Sequence, residues 1–185
     1  MKMKNILTVG TLGNDANDVT CSMLAVKSLS ELLTIVPFRE FEFAADSLMA
    51  DNIDAMVVPG AYPYIAKFIM NEQFVVTDVY TFVIPSLVFV SKHMVVTSKY
   101  DILYNHPATN ALISDICGVR WNSQKNVSSN TVACLEVLEN EHTCCAITNA
   151  ACAEKYGLFI HQVLRDGINM PFVIFTKKQK EGVKQ

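Results

Sequence analysis

The sequence predicts a two-lobed α/β protein, and three observations carry that prediction. Short β-type runs alternate with stretches of helical spacing along most of the chain, the 185 residues are 51% hydrophobic and only 18% charged, and polar loops recur where the strands end. A chain of this length buries a proper core without disulfides, as one domain or as two small lobes sharing a hinge. So little charge and so much apolar content exclude a disordered chain.

The elements follow in order. Residues 6–9 read as a strand ending at Gly10, the polar stretch 11–18 as a loop, and the apolar-periodic stretch through Leu33 as a helix. Residues 34–37 and 55–58 are further strands, separated by a helix over 41–49. This β-α-β-α-β order predicts a largely parallel sheet. A short helix is expected over 63–70, then a long strand region over 74–90 broken at Pro85, where the chain crosses between lobes. The second half repeats the alternation: strand 102–104, helix 107–117, helix 129–138, strand 144–148, helix 150–156, and closing strands at 158–163 and 172–175. Gly157 sits where a left-handed helix cap is needed. Strands passing between two α/β lobes form a cleft, and ligands of open α/β sheets bind beyond the carboxyl ends of strands.

Several function classes drop out. A net charge of −3, with no Lys or Arg run outside the short tail after Phe175, gives no footprint for nucleic acid. Residues 5–9 are too short an apolar core for a secretory signal, which leaves the cytoplasm as the expected location. The apolar segment 74–96 contains Asp78 and a central Pro85 and reads as two buried strands, not a membrane helix. The six cysteines form no Cys-x-x-Cys pair and no Cys-x-x-His step, so a zinc site is not expected; Cys144 and Cys145 read as small buried thiols. No nucleophile elbow, phosphate loop or dinucleotide glycine signature is present.

What chemistry the sequence offers lies in five polar segments: Thr11-Leu12-Gly13, Pro59-Gly60-Ala61-Tyr62, Asn105-His106-Pro107, Ser128-Ser129-Asn130-Thr131 and Thr148-Asn149. Helix N-termini flanked by hydroxyls and amides make anion sites, which points to a small carboxylate or phosphate. The same residue types also serve as plain helix caps. His106, before Pro107 at a helix start, could donate to a carboxylate or carry a proton, or it could be a hydrogen-bonded loop residue.

Taken in order, Thr11-Leu12-Gly13, Val58-Pro59, His106-Pro107, Ser129 at a helix start and Tyr156-Gly157-Leu158 resemble the prephenate dehydratases over residues 7–178. The resemblance implies a type II periplasmic-binding-protein-like fold. In it, residues 1–84 and 164–185 form one lobe and 85–163 the other, with the site between them. The dehydratases end in Thr-Arg-Phe, whose threonine assists loss of the ring hydroxyl; here those positions are Met170, Pro171 and Phe172. Dehydratases also usually carry a phenylalanine-sensing ACT domain after the catalytic part, for which this chain leaves no room.

A nearer likeness is to bacilysin-pathway prephenate decarboxylases. Its marks are Val58-Pro59 with Ala61-Tyr62, His106-Pro107, Thr148-Asn149 with Lys155-Tyr156-Gly157-Leu158, and Ile168 with Met170. That likeness implies cofactor-free, non-aromatising decarboxylation of prephenate or a close analogue to a dihydro-4-hydroxyphenylpyruvate, in antibiotic or other secondary metabolism, by a homodimer. One departure stands out: the family continues Thr-Leu-Gly with Pro-x-Gly-Thr, whereas this chain reads Asn14-Asp15-Ala16-Asn17-Asp18. Ala16 takes positive φ less easily than glycine, and Asp15 and Asp18 would repel a dicarboxylate if they faced the cleft.

The expected carboxylate binders are Thr11, Gly13, Asn17, Ser129, Asn130, Thr131, Thr148 and Asn149, with Met170 against the substrate, Tyr62 and His106 as catalytic groups, and a lysine such as Lys67 for charge. The alternative is a non-catalytic protein that binds a small acid or a partner in the same cleft. A residual dehydratase ranks last, because of Met170.

Overall fold

The structure, a computed structural model, describes residues 8–179, so the first two positions of the strand expected over 6–9 lie outside the described residues. The first sheet opens with β1 (Thr8–Leu12), which runs parallel to β2 (Thr34–Phe38) and β3 (Ala55–Pro59). Gly10 is needed in β1 because a Cβ there would come within 2.5 Å of the Ile53 side chain and 2.9 Å of the Phe38 ring. Between these strands lie α1 (Cys21–Lys27) and α2 (Phe41–Met49). In α2 the buried residues Phe41, Ala44, Ala45 and Leu48 fall at i, i+3, i+4 and i+7, one stripe of a helix.

The helix expected through Leu33 stops at Lys27. Ser28 Oγ donates back to Ala25 O at 2.7 Å, and the Leu32 N–H is taken by Ser30 Oγ, so local side-chain bonds displace the helical ladder.

After the short α3 (Ile65–Ile69) come β4 (Phe74–Val83) and β5 (Leu87–Ser91), the two strands expected on either side of Pro85. Among the described residues no helix is long and apolar enough to cross a membrane. The second sheet is made of β5 with β6 (Lys99–Asn105), β7 (Arg120–Asn126), β8 (Cys144–Asn149) and β9 (Phe159–Arg165). Against it lie α4 (Asn130–Glu139) and α5 (Ala150–Lys155), with Gly157 at φ +65° closing α5 as expected. Residues 107–115 form a 3₁₀ helix instead of an α-helix; its buried residues, Thr109 and Leu112, are three apart, the repeat of that tighter coil. β7 has no counterpart in the sequence reading, because Arg-Trp-Asn-Ser-Gln-Lys-Asn is polar on both faces and mostly exposed.

The last strand, β10 (Asn169–Lys177), returns to the first sheet and pairs antiparallel with β3 and β4. The strand orders are therefore β2-β1-β3-β10-β4 and β7-β6-β8-β5-β9. Each sheet is mixed: four of its five strands run the same way, and a single strand, β10 in the first sheet and β5 in the second, runs against both of its neighbours. The two crossings are tied together where Ser86 Oγ donates to Asp166 Oδ1 at 2.7 Å. One buried cluster, including Val9, Val57 and Phe172 from the first sheet and Phe89, Leu103 and Ile147 from the second, spans both sheets, while each sheet's other face carries its own helices.

Candidate functional site

A cavity of about 190 Å³ opens between the two sheets, beyond the carboxyl ends of β1, β3 and β6. From the first sheet's side it is lined by Leu12, Phe41, Pro59, Tyr62, Met170 and Phe172, a mostly apolar wall. The second sheet contributes His106, Thr109, Leu112, Ser129, Asn130 and Arg165, mostly residues with polar side chains. Thr20, Cys21 and Ser22, at the start of α1, close the floor.

Of the residues expected from sequence, Tyr62, His106, Ser129, Asn130 and Met170 are brought together on this cavity. Ser129 is the N-cap of α4, its Oγ accepting from Val132 N at 3.1 Å, so the first-turn amides of a ten-residue helix stand beside the cavity. His106 caps the 3₁₀ helix: Nδ1 accepts from Ala108 N at 3.1 Å, which leaves the proton of a neutral ring on Nε2. Burial pushes the His106 pKa below its ordinary value, favouring that neutral ring. The Tyr62 ring faces the cavity while its hydroxyl donates to Glu42 Oε1 at 2.8 Å; burial first, and then the Glu42 carboxylate, push the phenol pKa up. Glu42 also pairs with Lys67, so that lysine's charge is spent outside the cleft.

Thr11, Gly13, Asn17, Thr131, Thr148 and Asn149 do not line the cavity. Thr11 Oγ1 donates to Val57 O at 2.8 Å, fixing β1 to β3, and Gly13 is packed so closely that a Cβ would meet the Met23 side chain at 2.8 Å. Asn17 is exposed, and its carbonyl accepts from Lys155 Nζ at 2.9 Å. Thr148 Oγ1 donates to Asn130 O at 3.0 Å, and Asn149 caps α5 while its Nδ2 donates to Val19 O at 3.1 Å.

The altered loop after β1 resolves without a glycine. Ala16 does not take a positive φ, Asp51 being the one non-glycine among the described residues that does. Asp15 is exposed and accepts from Asn17 N at 2.7 Å. Asp18 turns away from the cavity into full burial, where its carboxylate accepts from Asn14 N at 2.7 Å, from Val19 N at 2.8 Å and from the Thr131 hydroxyl of the second lobe. Neither carboxylate lines the cleft.

Sequence reasoning passed over two features. Arg165, at the end of β9, is the cation on the cavity, with Nη1 3.0 Å from Asp115 Oδ2 and donating to Leu164 O. Cys21 is among the residues lining the cavity; Asn130 Nδ2 and Asn149 Nδ2 lie 3.4 and 3.6 Å from its Sγ, and burial pushes its thiol pKa up to about 12. Nothing in the local sequence marks either position. Among the described residues no cluster of three His, Cys, Asp or Glu could hold a metal ion.

No protein-family model matches the chain, and no curated protein matches it. Solved structures do. A prephenate dehydratase from Arthrobacter aurescens, in complex with L-Phe, superposes with a TM-score of 0.70 at 16% identity, over 94% of this chain and 61% of that one. The prephenate dehydratase of Staphylococcus aureus gives 0.60 at 16% identity, over 94% and 68%. A periplasmic substrate-binding protein of an ABC transporter from Coxiella burnetii gives 0.57 at 14% identity, over 96% and 87%. The chain is prephenate dehydratase-like in fold. That fold, two lobes of the type II periplasmic-binding-protein kind, is common to enzymes and to binding proteins, and the cleft lies where ligands of open α/β sheets bind.

Proposed function

We propose that the cleft takes prephenate or a close analogue and removes carbon dioxide from it without aromatising the ring, as a carbon–carbon lyase of secondary metabolism. The observation that carries this reading is Met170, a thioether beside Ile168 and Phe172 on the same cavity as the Ser129 helix start. One carboxylate of the substrate rests on the first-turn amides and hydroxyl of α4. The other faces the apolar wall, where an anion loses its hydration and gains no hydrogen bond. Cleavage of its C–C bond relieves that cost, because carbon dioxide leaves uncharged and the bonding electron pair passes into the ring diene. The diene then takes a proton at a ring carbon. The ring hydroxyl stays in place, since a thioether cannot protonate it as it leaves. His106, neutral and with its proton on Nε2, supplies a hydrogen bond to the substrate or relays the proton.

The test is direct. Purified protein incubated with prephenate should release carbon dioxide as the substrate's absorbance falls, and no phenylpyruvate, which absorbs strongly in alkali, should form. A rate no greater than the spontaneous one would sink the proposal.

A second reading, binding without turnover, is favoured by Arg165, whose guanidinium is already held by Asp115, and by the likeness to a transporter's substrate-binding protein. Thermal stabilisation by prephenate-like acids with no product would support it.

A further inference from the structure

We propose that the outer edge of the first sheet is a self-pairing surface, on which β4 of two copies of this chain pair antiparallel about a two-fold axis through Thr81. Two five-stranded sheets then run on as one. The inference does not depend on what the cleft does.

β4 closes one end of its sheet and, among the described residues, has no neighbour beyond β10. Protected edge strands are short, or carry lysine, proline or inward-pointing charge. β4 is ten residues long, contains neither lysine nor proline, and has Asp78 as its one charge. Its outward face is apolar and open: Val79 is 54% and Val83 61% exposed, with Thr81 exposed between them.

The backbone phase suits pairing. Ile84 N donates to Ile168 O at 3.0 Å, so in an antiparallel ladder the groups of Phe82 and Tyr80 also face β10. The N–H and C=O groups of Val79, Thr81 and Val83 therefore point away from the sheet, three consecutive positions ready for another strand.

What selects a second copy over any other strand is the order of side chains. Residues 79–83 read Val-Tyr-Thr-Phe-Val, the same chemical classes in both directions. An antiparallel two-fold through Thr81 sets Val79 opposite Val83 of the second copy and Thr81 opposite itself, each as a hydrogen-bonded pair. β-branched partners and a Thr–Thr contact are favourable cross-strand neighbours. On the other face Tyr80 and Phe82 stay packed on Phe172, with centroids 5.7 and 6.4 Å away, so pairing disturbs no core contact. The ladder is limited in the N-terminal direction, because β4 bulges at Thr77 and Asp78 follows it. An edge strand of the second sheet, β9, also exposes Phe159, Ile160 and Val163, but its order Phe-Ile-His-Gln-Val-Leu-Arg does not reverse onto itself and its pairing with β5 shifts register twice.

The experiment measures the mass of the full chain in solution by light scattering across a concentration series. Wild type should approach twice the chain mass. Thr81→Pro removes an outward N–H from the centre of the interface without touching the β10 ladder, and should be monomeric; Val79→Lys with Val83→Lys should be monomeric as well, through four converging charges. Mixing that double lysine chain with a Val79→Glu, Val83→Glu chain should restore the dimer, because positions 79 and 83 face each other. Circular dichroism and a cooperative melt check that each variant folds; if Thr81→Pro does not, the lysine and glutamate pair carries the test. A monomeric wild type overturns the proposal, whether or not β4 captures a strand from some other protein. So does a dimer that survives the lysine chain, or a lysine and glutamate mixture that stays monomeric.

Discussion

The two walls of the cleft are built on different principles. The wall from the second sheet holds its polar groups through helix starts: Ser129 and His106 each accept a backbone N–H of the helix they begin, so local hydrogen bonds fix their orientation. The wall from the first sheet presents Leu12, Phe41, Met170 and Phe172, held by packing alone. A ligand gripped by one wall and only shaped by the other has its anion located by hydrogen bonds and its reacting part located by exclusion of water. On the decarboxylase reading proposed above, the contrast assigns affinity to one wall and choice of reaction to the other.

Four changes would break or sharpen that contrast. The largest effect is expected at the seam between the walls. Asp18→Ala leaves Thr131 and two backbone amides without their buried acceptor and should cost about 3 kcal/mol, read from urea unfolding. Next comes Met170→Thr, which puts a hydroxyl into the apolar wall; carbon dioxide release should fall at least about tenfold, or about 1.4 kcal/mol in barrier, and phenylpyruvate should appear in the alkaline assay.

Ser129→Ala belongs to the other wall. It should lower stability by about 1 kcal/mol through loss of the cap and weaken binding of prephenate-like acids, with the product unchanged. The smallest effect is the pH response of His106. Its folded pKa lies below the ordinary value, so its contribution to stability is complete above that ordinary value, about 6.5, and is lost as pH falls through it toward the folded pKa. His106→Asn keeps a capping acceptor and should melt with a shallower decline between pH 7.5 and pH 5 than wild type; His161, also shifted down by burial, leaves part of the slope in both.

Much of this was legible in the sequence because periodicity and caps are local. α2 falls over the residues its apolar spacing marks, Gly157 takes the positive φ its position demands, and the break at Pro85 separates two strands. Strand direction was not legible. Whether β5, β9 and β10 run with or against their neighbours is decided by partners dozens of residues away, and β7, exposed on a sheet edge, needs no apolar pattern to pair. At the cleft the limit is of another kind. Thr11, Thr131, Thr148 and Asn149 carry the right atoms for a carboxylate, but the same atoms satisfy β3, Asp18, the Asn130 carbonyl and the start of α5. A hydroxyl's direction is set by the nearest unpaired group in three dimensions, which residue type does not encode. Arg165 was invisible for the converse reason: no motif surrounds it, and only the end of β9 brings it to the cavity.

The place of β10 has a consequence for how the chain is made. Among the described strands it comes last in chain order, yet it lies between β3 and β4, so the first sheet closes only after the other described strands have been made. The strands of the other lobe form one uninterrupted stretch, 87–165, and emerge whole before then. During translation β3 and β4 wait with a gap between them and apolar edges bare. A chain cut before residue 169 would lack the one strand that joins β3 to β4.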